Sequence, residues 1–127
     1  MIYKQSLIYD LTREDRAMPA LPIEAMDRKA AEVADFLMAA ANRNRLMVLC
    51  HLAEAGELTV TELAGLVRLS QPALSQHLAR MTEEKLITVR ADGRRRYYAL
   101  SEGPVSDLLE VLQRHFCPPD GARAAAE

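Results

Sequence analysis

Two sets of side chains in this 127-residue sequence have the types and spacing to do chemistry. The first is a pair of thiols, Cys50 and Cys117. The second is a run of amide, hydroxyl and basic residues: Ser70, Gln71, Ser75, Gln76, His77 and Arg80, then Arg94, Arg95 and Arg96. Gln can pair bidentately with adenine, and Arg with guanine, on the major-groove edges of a duplex. Ser70 and the free N–H groups of a helix start suit a phosphate oxygen. Three arginines at a hairpin tip would straddle the DNA backbone or enter the minor groove. Taken singly, a Gln or Ser is more often a solvated surface residue. The combination carries the signal.

The charge distribution sharpens it. Overall the chain is nearly balanced, at −2 with 16 Lys plus Arg and 18 Asp plus Glu. From Arg68 to Tyr98, however, seven basic residues face three acidic ones, +4, and the remainder is −6. A local basic footprint on an acidic body suits a DNA-binding domain with a separate dimer surface, and it also suits a solvated face. With 50% hydrophobic and 27% charged residues the chain can bury one core. Two cysteines are too few for a secreted disulfide scaffold. No signal peptide or membrane-spanning run is read, so a cytoplasmic protein with no membrane partner is expected. There is no Cys-x-x-Cys, glycine-rich phosphate loop or triad to suggest an enzyme.

The periodicities place these residues on elements. Residues 1–22 read as a flexible arm, and 118–127 as a frayed tail beyond Pro118-Pro119. A domain over 23–117 lies between them. Its first helix runs from about Ile23 to Ala41, with a narrow stripe of Met26, Ala30, Val33 and Leu37 that could pack on a second copy. A second helix, about Asn44 to Ala55, carries Leu46, Leu49, Cys50 and Ala53 on one face and ends at Gly56.

A short helix follows, capped by Thr59 with Glu62 in a capping box, with Leu63, Leu66 and Val67 pointing inward. A turn at Arg68-Leu69 leads to a helix capped by Ser70, with Pro72 in its first turn and Leu74, Leu78 and Met81 in the core. The period then switches to alternation around Asp92-Gly93, a hairpin signal. A last helix, about Pro104 to Cys117, places Val105, Leu108, Leu109, Leu112 and Phe116 on one face. The fold class is therefore mainly α with a small β-hairpin: a winged helix-turn-helix of about five helices plus a two-stranded wing.

The string Ser70-Gln71-Pro72-Ala73-Leu74-Ser75-Gln76-His77-Leu78, followed by Arg80-Met81 and a hairpin ending Arg96-Tyr97-Tyr98-Ala99-Leu100, resembles the ArsR family of bacterial winged-helix repressors. Asn44-Arg45-Leu46 fits the same resemblance, which covers roughly Val33 to Cys117. It implies a homodimer built on the first and last helices that binds an imperfect inverted repeat of double-stranded operator DNA. It places the reading positions on Gln71, Ser75, Gln76 and His77, with Arg95 and Arg96 in the wing.

Family metal sites are a poor fit. Where the founding thiolate box reads Glu-Leu-Cys-Val-Cys-Asp-Leu, this chain reads Glu57-Leu58-Thr59-Val60-Thr61-Glu62-Leu63, and threonines supply no thiolate. The last helix offers only Asp107 and His115 towards the other common site, so no metal or other cofactor is expected.

By placement alone Cys50 and Cys117 fit two core cysteines as well as a switch, since free Cys is among the most buried residues. Their contexts resemble the sulfide- and redox-responsive branch of the family. That resemblance implies a reduced dithiol that binds DNA, and reactive sulfur species or oxidants that link the thiols by a disulfide or polysulfide and release the operator. Cys117, with Arg114 one turn before it, is expected to react first. Cys50, read as buried, is expected to resolve. A metal or arsenite sensor using the same cysteines, an interaction module without DNA and a thiol redox enzyme are the alternatives.

Overall fold

Three helices in this chain begin at a side-chain cap, and the hydrogen bonds of these caps are visible in the computed structural model, which describes residues 21–118. The expected arm lies outside the described residues but for its last two, and the tail but for its first. Helix α1 spans Ile23–Ala40 and α2 spans Arg43–Ala55. The break between them is Asn42, whose Oδ1 accepts from the N–H groups of Asn44 at 2.9 Å and Arg45 at 3.1 Å. Gly56, at φ +91, closes α2 in a conformation that L side chains rarely adopt.

The strand β1 (Glu57–Thr59) leads into helix α3 (Val60–Val67). The Thr59 N–H donates to Glu62 Oε1 at 2.8 Å, and the Glu62 N–H donates to Thr59 Oγ1 at 3.2 Å, which is the expected capping box. Arg68 turns the chain at φ +60, and Ser70 caps helix α4 (Gln71–Glu83), with Pro72 in the first turn.

Helix α4 stops without a glycine. The Leu86 N–H donates to the Met81 carbonyl at 2.9 Å and the Lys85 N–H to the Thr82 carbonyl at 3.0 Å, with Lys85 at φ +64. This is a Schellman closure with lysine in the left-handed position, sealed by the buried pair Met81 and Leu86.

Strands β2 (Ile87–Asp92) and β3 (Arg95–Leu100) form the expected hairpin. Its loop is Gly93-Arg94, closed by the Asp92–Arg95 pair, and only Gly93 needs a positive φ, at +65. The sheet has a third strand that the periodicity did not show. β1 pairs antiparallel with β3, Glu57 opposite Ala99 and Thr59 opposite Tyr97, so the order is β1-β3-β2. Three residues are too few to display an alternation. Helix α5 spans Pro104–Phe116.

The chain divides into two units at Ala31–Glu32, within α1. In the unit from Glu32 onward, the core joins Ala39, Ala40, Val48, Leu49, Leu52, Leu63, Leu74, Leu78, Met81, Leu86, Ile87 and Val105. Four expected inward positions are corrected. Helix α2 buries Val48, Leu49 and Leu52, so its face is rotated from the Leu46–Cys50–Ala53 reading, and Cys50 and Ala53 are exposed. The larger Val48 and Leu52 bury more apolar area than a thiol and a methyl group would. Leu66 is left on the rim of α3, because that short helix packs through Leu63, Ala64 and Val67. Phe116 is 67% exposed, since α5 meets the core through Val105, Leu108 and Leu109.

Two stability changes of opposite sign are expected. Thr59→Ala removes the α3 cap and should cost about 1 kcal/mol in urea unfolding at fixed protein concentration, with Thr59→Ser near wild type. Lys85→Gly should stabilise by roughly 0.5–1 kcal/mol in the same assay, because glycine takes the left-handed turn without a Cβ penalty.

Candidate nucleic-acid interface and thiol pair

With Leu74, Leu78 and Met81 buried, the opposite side of α4 is left to solvent: Gln71, Ser75, Gln76 and Arg80 are all exposed. The α3–turn–α4 unit and the wing tip then enclose one open groove of about 660 Å³. Gln71 and Ser75 of α4 line one side of it, and Arg94, Arg95 and Arg96 line the other. The fold thus brings five of the nine expected DNA-binding residues together in one concavity. Three consecutive arginines and a helix start supply positive potential there, which is what a phosphate backbone requires.

The other four expected residues sit differently. Gln76 and Arg80 are exposed further along α4 without lining the groove. The Ser70 hydroxyl oxygen is engaged as a cap, accepting from the Ala73 N–H at 3.3 Å. His77 is half-buried, with Nδ1 at 3.2 Å from Nη1 of Arg45. Burial and then the Arg45 charge hold its pKa below the usual histidine value.

Thr61 and Glu62 are among the other groove residues that did not stand out as DNA-binding positions in the sequence. Thr61 accepts from Gln71 Nε2 at 3.2 Å, which ties the Gln71 side chain to the preceding helix. Glu62 also lines the groove, yet its carboxylate is turned into the capping box, where it meets the Thr59 N–H and hydroxyl. That use explains an acidic residue in a groove whose other lining residues are neutral or basic. The capping-box pattern was the available signal for Glu62; nothing in the spacing marked Thr61.

Arg90 counted towards the basic segment but is committed within the sheet. It donates to both Glu57 carboxylate oxygens, at 2.7 and 2.9 Å, and its guanidinium lies 4.4 Å from the centre of the Tyr97 ring. The Arg90 hydrogen bond holds the Glu57 carboxyl below the usual carboxylate range. Both partners are exposed, so the pair braces the base of the wing more than it stabilises the fold.

Both cysteines are free and exposed. This corrects the expectation that Cys50 is buried; the rotated packing of α2 turns it outward. Cys117 terminates α5, its N–H donating to the Gln113 carbonyl at 2.8 Å. Desolvation raises the Cys50 thiol pKa, and the Cys117 sulfur raises it further. The two thiols therefore lie within electrostatic reach of each other, although they are far apart in sequence. Among the described residues no group of three or more His, Cys, Asp or Glu side chains is placed to hold a metal ion. No described helix is long and apolar enough to cross a membrane.

Comparison with known proteins agrees with this geometry. Residues 42–89, from the cap of α2 into β2, match the family model for bacterial regulatory proteins of the arsR family. The chain is 37% identical over 100 residues to the biofilm growth-associated repressor of Agrobacterium fabrum, covering 79% of this chain and 85% of that protein. It is 38% identical over 95 residues to the transcriptional activator HlyU of Vibrio cholerae, covering 75% and 87%. Among solved structures, reduced HlyU from Vibrio cholerae superposes with a TM-score of 0.68 at 38% identity, covering 74% of this chain and 98% of that one. The transcriptional repressor BigR from Xylella fastidiosa gives 0.67 at 33% identity, covering 76% and 98%. These relatives are regulators and not enzymes. The chain belongs to the ArsR family of bacterial regulatory proteins and has its winged-helix, DNA-binding architecture.

Proposed function

We propose that this protein is a dimeric transcriptional repressor whose Cys50–Cys117 dithiol senses reactive sulfur species or oxidants. The observation that carries the DNA-binding half is the shared groove, with Gln71 and Ser75 of α4 facing Arg94, Arg95 and Arg96 of the wing. In this reading α4 enters the major groove of an imperfect inverted repeat, Gln76 and Arg80 extend the contacts along it, and the wing arginines hold the flanking phosphates. A second copy covers the outer side of α1, where Met26, Val33 and Leu37 are 43%, 37% and 47% exposed. Exposed apolar side chains repeating along one helix support an interface between copies.

The sensing half rests on two free, exposed thiols, of which Cys117 adds to the raising of the Cys50 thiol pKa. Burial raises the Cys50 thiol pKa and disfavours its thiolate, and Cys117, with Arg114 one turn before it in the sequence, is taken as the first attacker. The Cys117 thiolate displaces a thiol from the persulfide and takes up its sulfane sulfur. Cys50, once deprotonated, attacks the Cys117 sulfur, closes a disulfide and expels hydrosulfide. The two cysteines lose two electrons, and the sulfane sulfur gains them. Where Cys50 has also taken a sulfane sulfur from persulfide before closure, its outer sulfur attacks the Cys117 sulfur and expels hydrosulfide, giving a trisulfide that relaxes the Cα separation of about 4.4–6.8 Å that a disulfide demands. Tying the end of α5 to α2 shifts the dimer and with it the spacing of the two α4 helices, which must match half-sites about 34–36 Å apart.

Binding to its own promoter DNA, measured before and after persulfide treatment with intact-mass analysis, tests both halves. The dithiol protein should bind and release on treatment, with the mass showing one intramolecular link. Cys117→Ser should stay unmodified and bound, whereas Cys50→Ser should hold an open persulfide on Cys117. Binding that survives persulfide but is lost with arsenite would refute the sensing scheme in favour of a metalloid sensor. Stable modification of Cys50 in the Cys117→Ser protein would reverse the order of attack.

A further inference from the structure

Arg45 lies outside the groove, yet its guanidinium reaches two other helices. It sits near the start of α2, where its Nε donates to the Ala39 carbonyl at 2.6 Å and its Nη2 to the Met38 carbonyl at 3.3 Å. Those carbonyls belong to the last turn of α1, whose orphan acceptors need donors from outside the helix. The third contact crosses to α4, where Nη1 lies 3.2 Å from Nδ1 of His77. One planar guanidinium thus joins the end of α1, the start of α2 and the middle of the reading helix.

The chemistry of the third contact is one-directional. A guanidinium has only N–H donors, so Nδ1 of His77 must accept. A neutral imidazole that accepts at Nδ1 carries its hydrogen on Nε2. Burial and the Arg45 charge both favour that neutral form over the imidazolium. Among the described residues Arg45 is the charge that acts on His77; Arg80, one turn along α4, acts on Arg45 instead.

We infer that Arg45 is a positioning residue for DNA reading: it locks His77 in its Nε2–H tautomer, so that His77 can offer a nucleic acid only a hydrogen-bond donor. A donor suits purine N7, guanine O6, thymine O4 or a phosphate oxygen, and it is repelled by the amino groups of cytosine and adenine. A lysine could not replace Arg45, because a single ammonium lacks the fork that spans two carbonyls and a ring nitrogen together. The DNA consequence rests on the proposed operator binding; the tautomer does not.

The test has two arms on the full-length chain. In the first, nitrogen-15 NMR of the histidine rings is recorded without DNA. Wild-type His77 should show an unprotonated Nδ1 and titrate below an ordinary histidine. Arg45→Met and Arg45→Lys, checked as folded by their amide spectra, should show mixed tautomers, and Arg45→Met a higher midpoint. A wild-type ring protonated at Nδ1, or one unchanged by Arg45→Met, overturns the inference.

The second arm is a double-mutant cycle on promoter DNA. Arg45→Met alone should weaken binding roughly tenfold, as expected when one specific polar interaction is removed, and by much less in a His77→Ala background. Equal effects in both backgrounds would show that Arg45 acts through the fold and not through His77. If wild-type protein binds no DNA at all, the operator reading fails, while the NMR arm still decides the tautomer.

Discussion

Burial of Leu74, Leu78 and Met81 is the constraint on which the rest of the molecule depends. These three residues are fully enclosed, and each contributes on the order of 2 kcal/mol of hydrophobic stabilisation as an upper bound. Rotating α4 about its axis would expose all three, so the helix has one permitted orientation. The side left over carries Gln71, Ser75, Gln76 and Arg80. The surface proposed to meet DNA is thus specified by what the core takes away.

The polar contacts refine that orientation without generating it. Ser70 sets where α4 begins, the Schellman closure through Lys85 sets where it ends, and Thr61 holds Gln71 against α3. Beyond α4 the chain turns straight into the hairpin, whose third strand fastens the wing to the start of α3. The Glu57–Arg90 pair and the Tyr97 ring brace that junction. The separation between the wing arginines and α4 is therefore fixed by a short covalent path and a sheet, with no long loop between them.

Much of this was legible in the residues because it follows from local rules. The caps at Thr59, Ser70 and Gly56, the apolar row of α4 and the Asp92-Gly93 hairpin each state their geometry within a few positions. Strand β1 was not legible, since three residues show no period and its partner lies about forty positions away. The face of α2 was misread for a related reason. Leu46, Leu49 and Ala53 make a plausible stripe, and only tertiary packing decides that Val48 and Leu52 win the interior. That rotation reversed the reading of Cys50 from buried to exposed. The Arg45 hydrogen bonds were equally hidden: an arginine in the polar first turn of α2 does not name its partners on α1 and α4.

In the proposed function the groove between α4 and the wing is an electrostatic seat for a DNA backbone. The most direct measurement is the salt dependence of promoter binding for wild type and for the Arg94→Ala, Arg95→Ala, Arg96→Ala triple variant. Each arginine–phosphate pairing that the variant removes should flatten the slope of log affinity against log salt by about 1. The account requires a clear flattening, with affinity reduced on every sequence tested. An unchanged slope in a folded triple variant would contradict it.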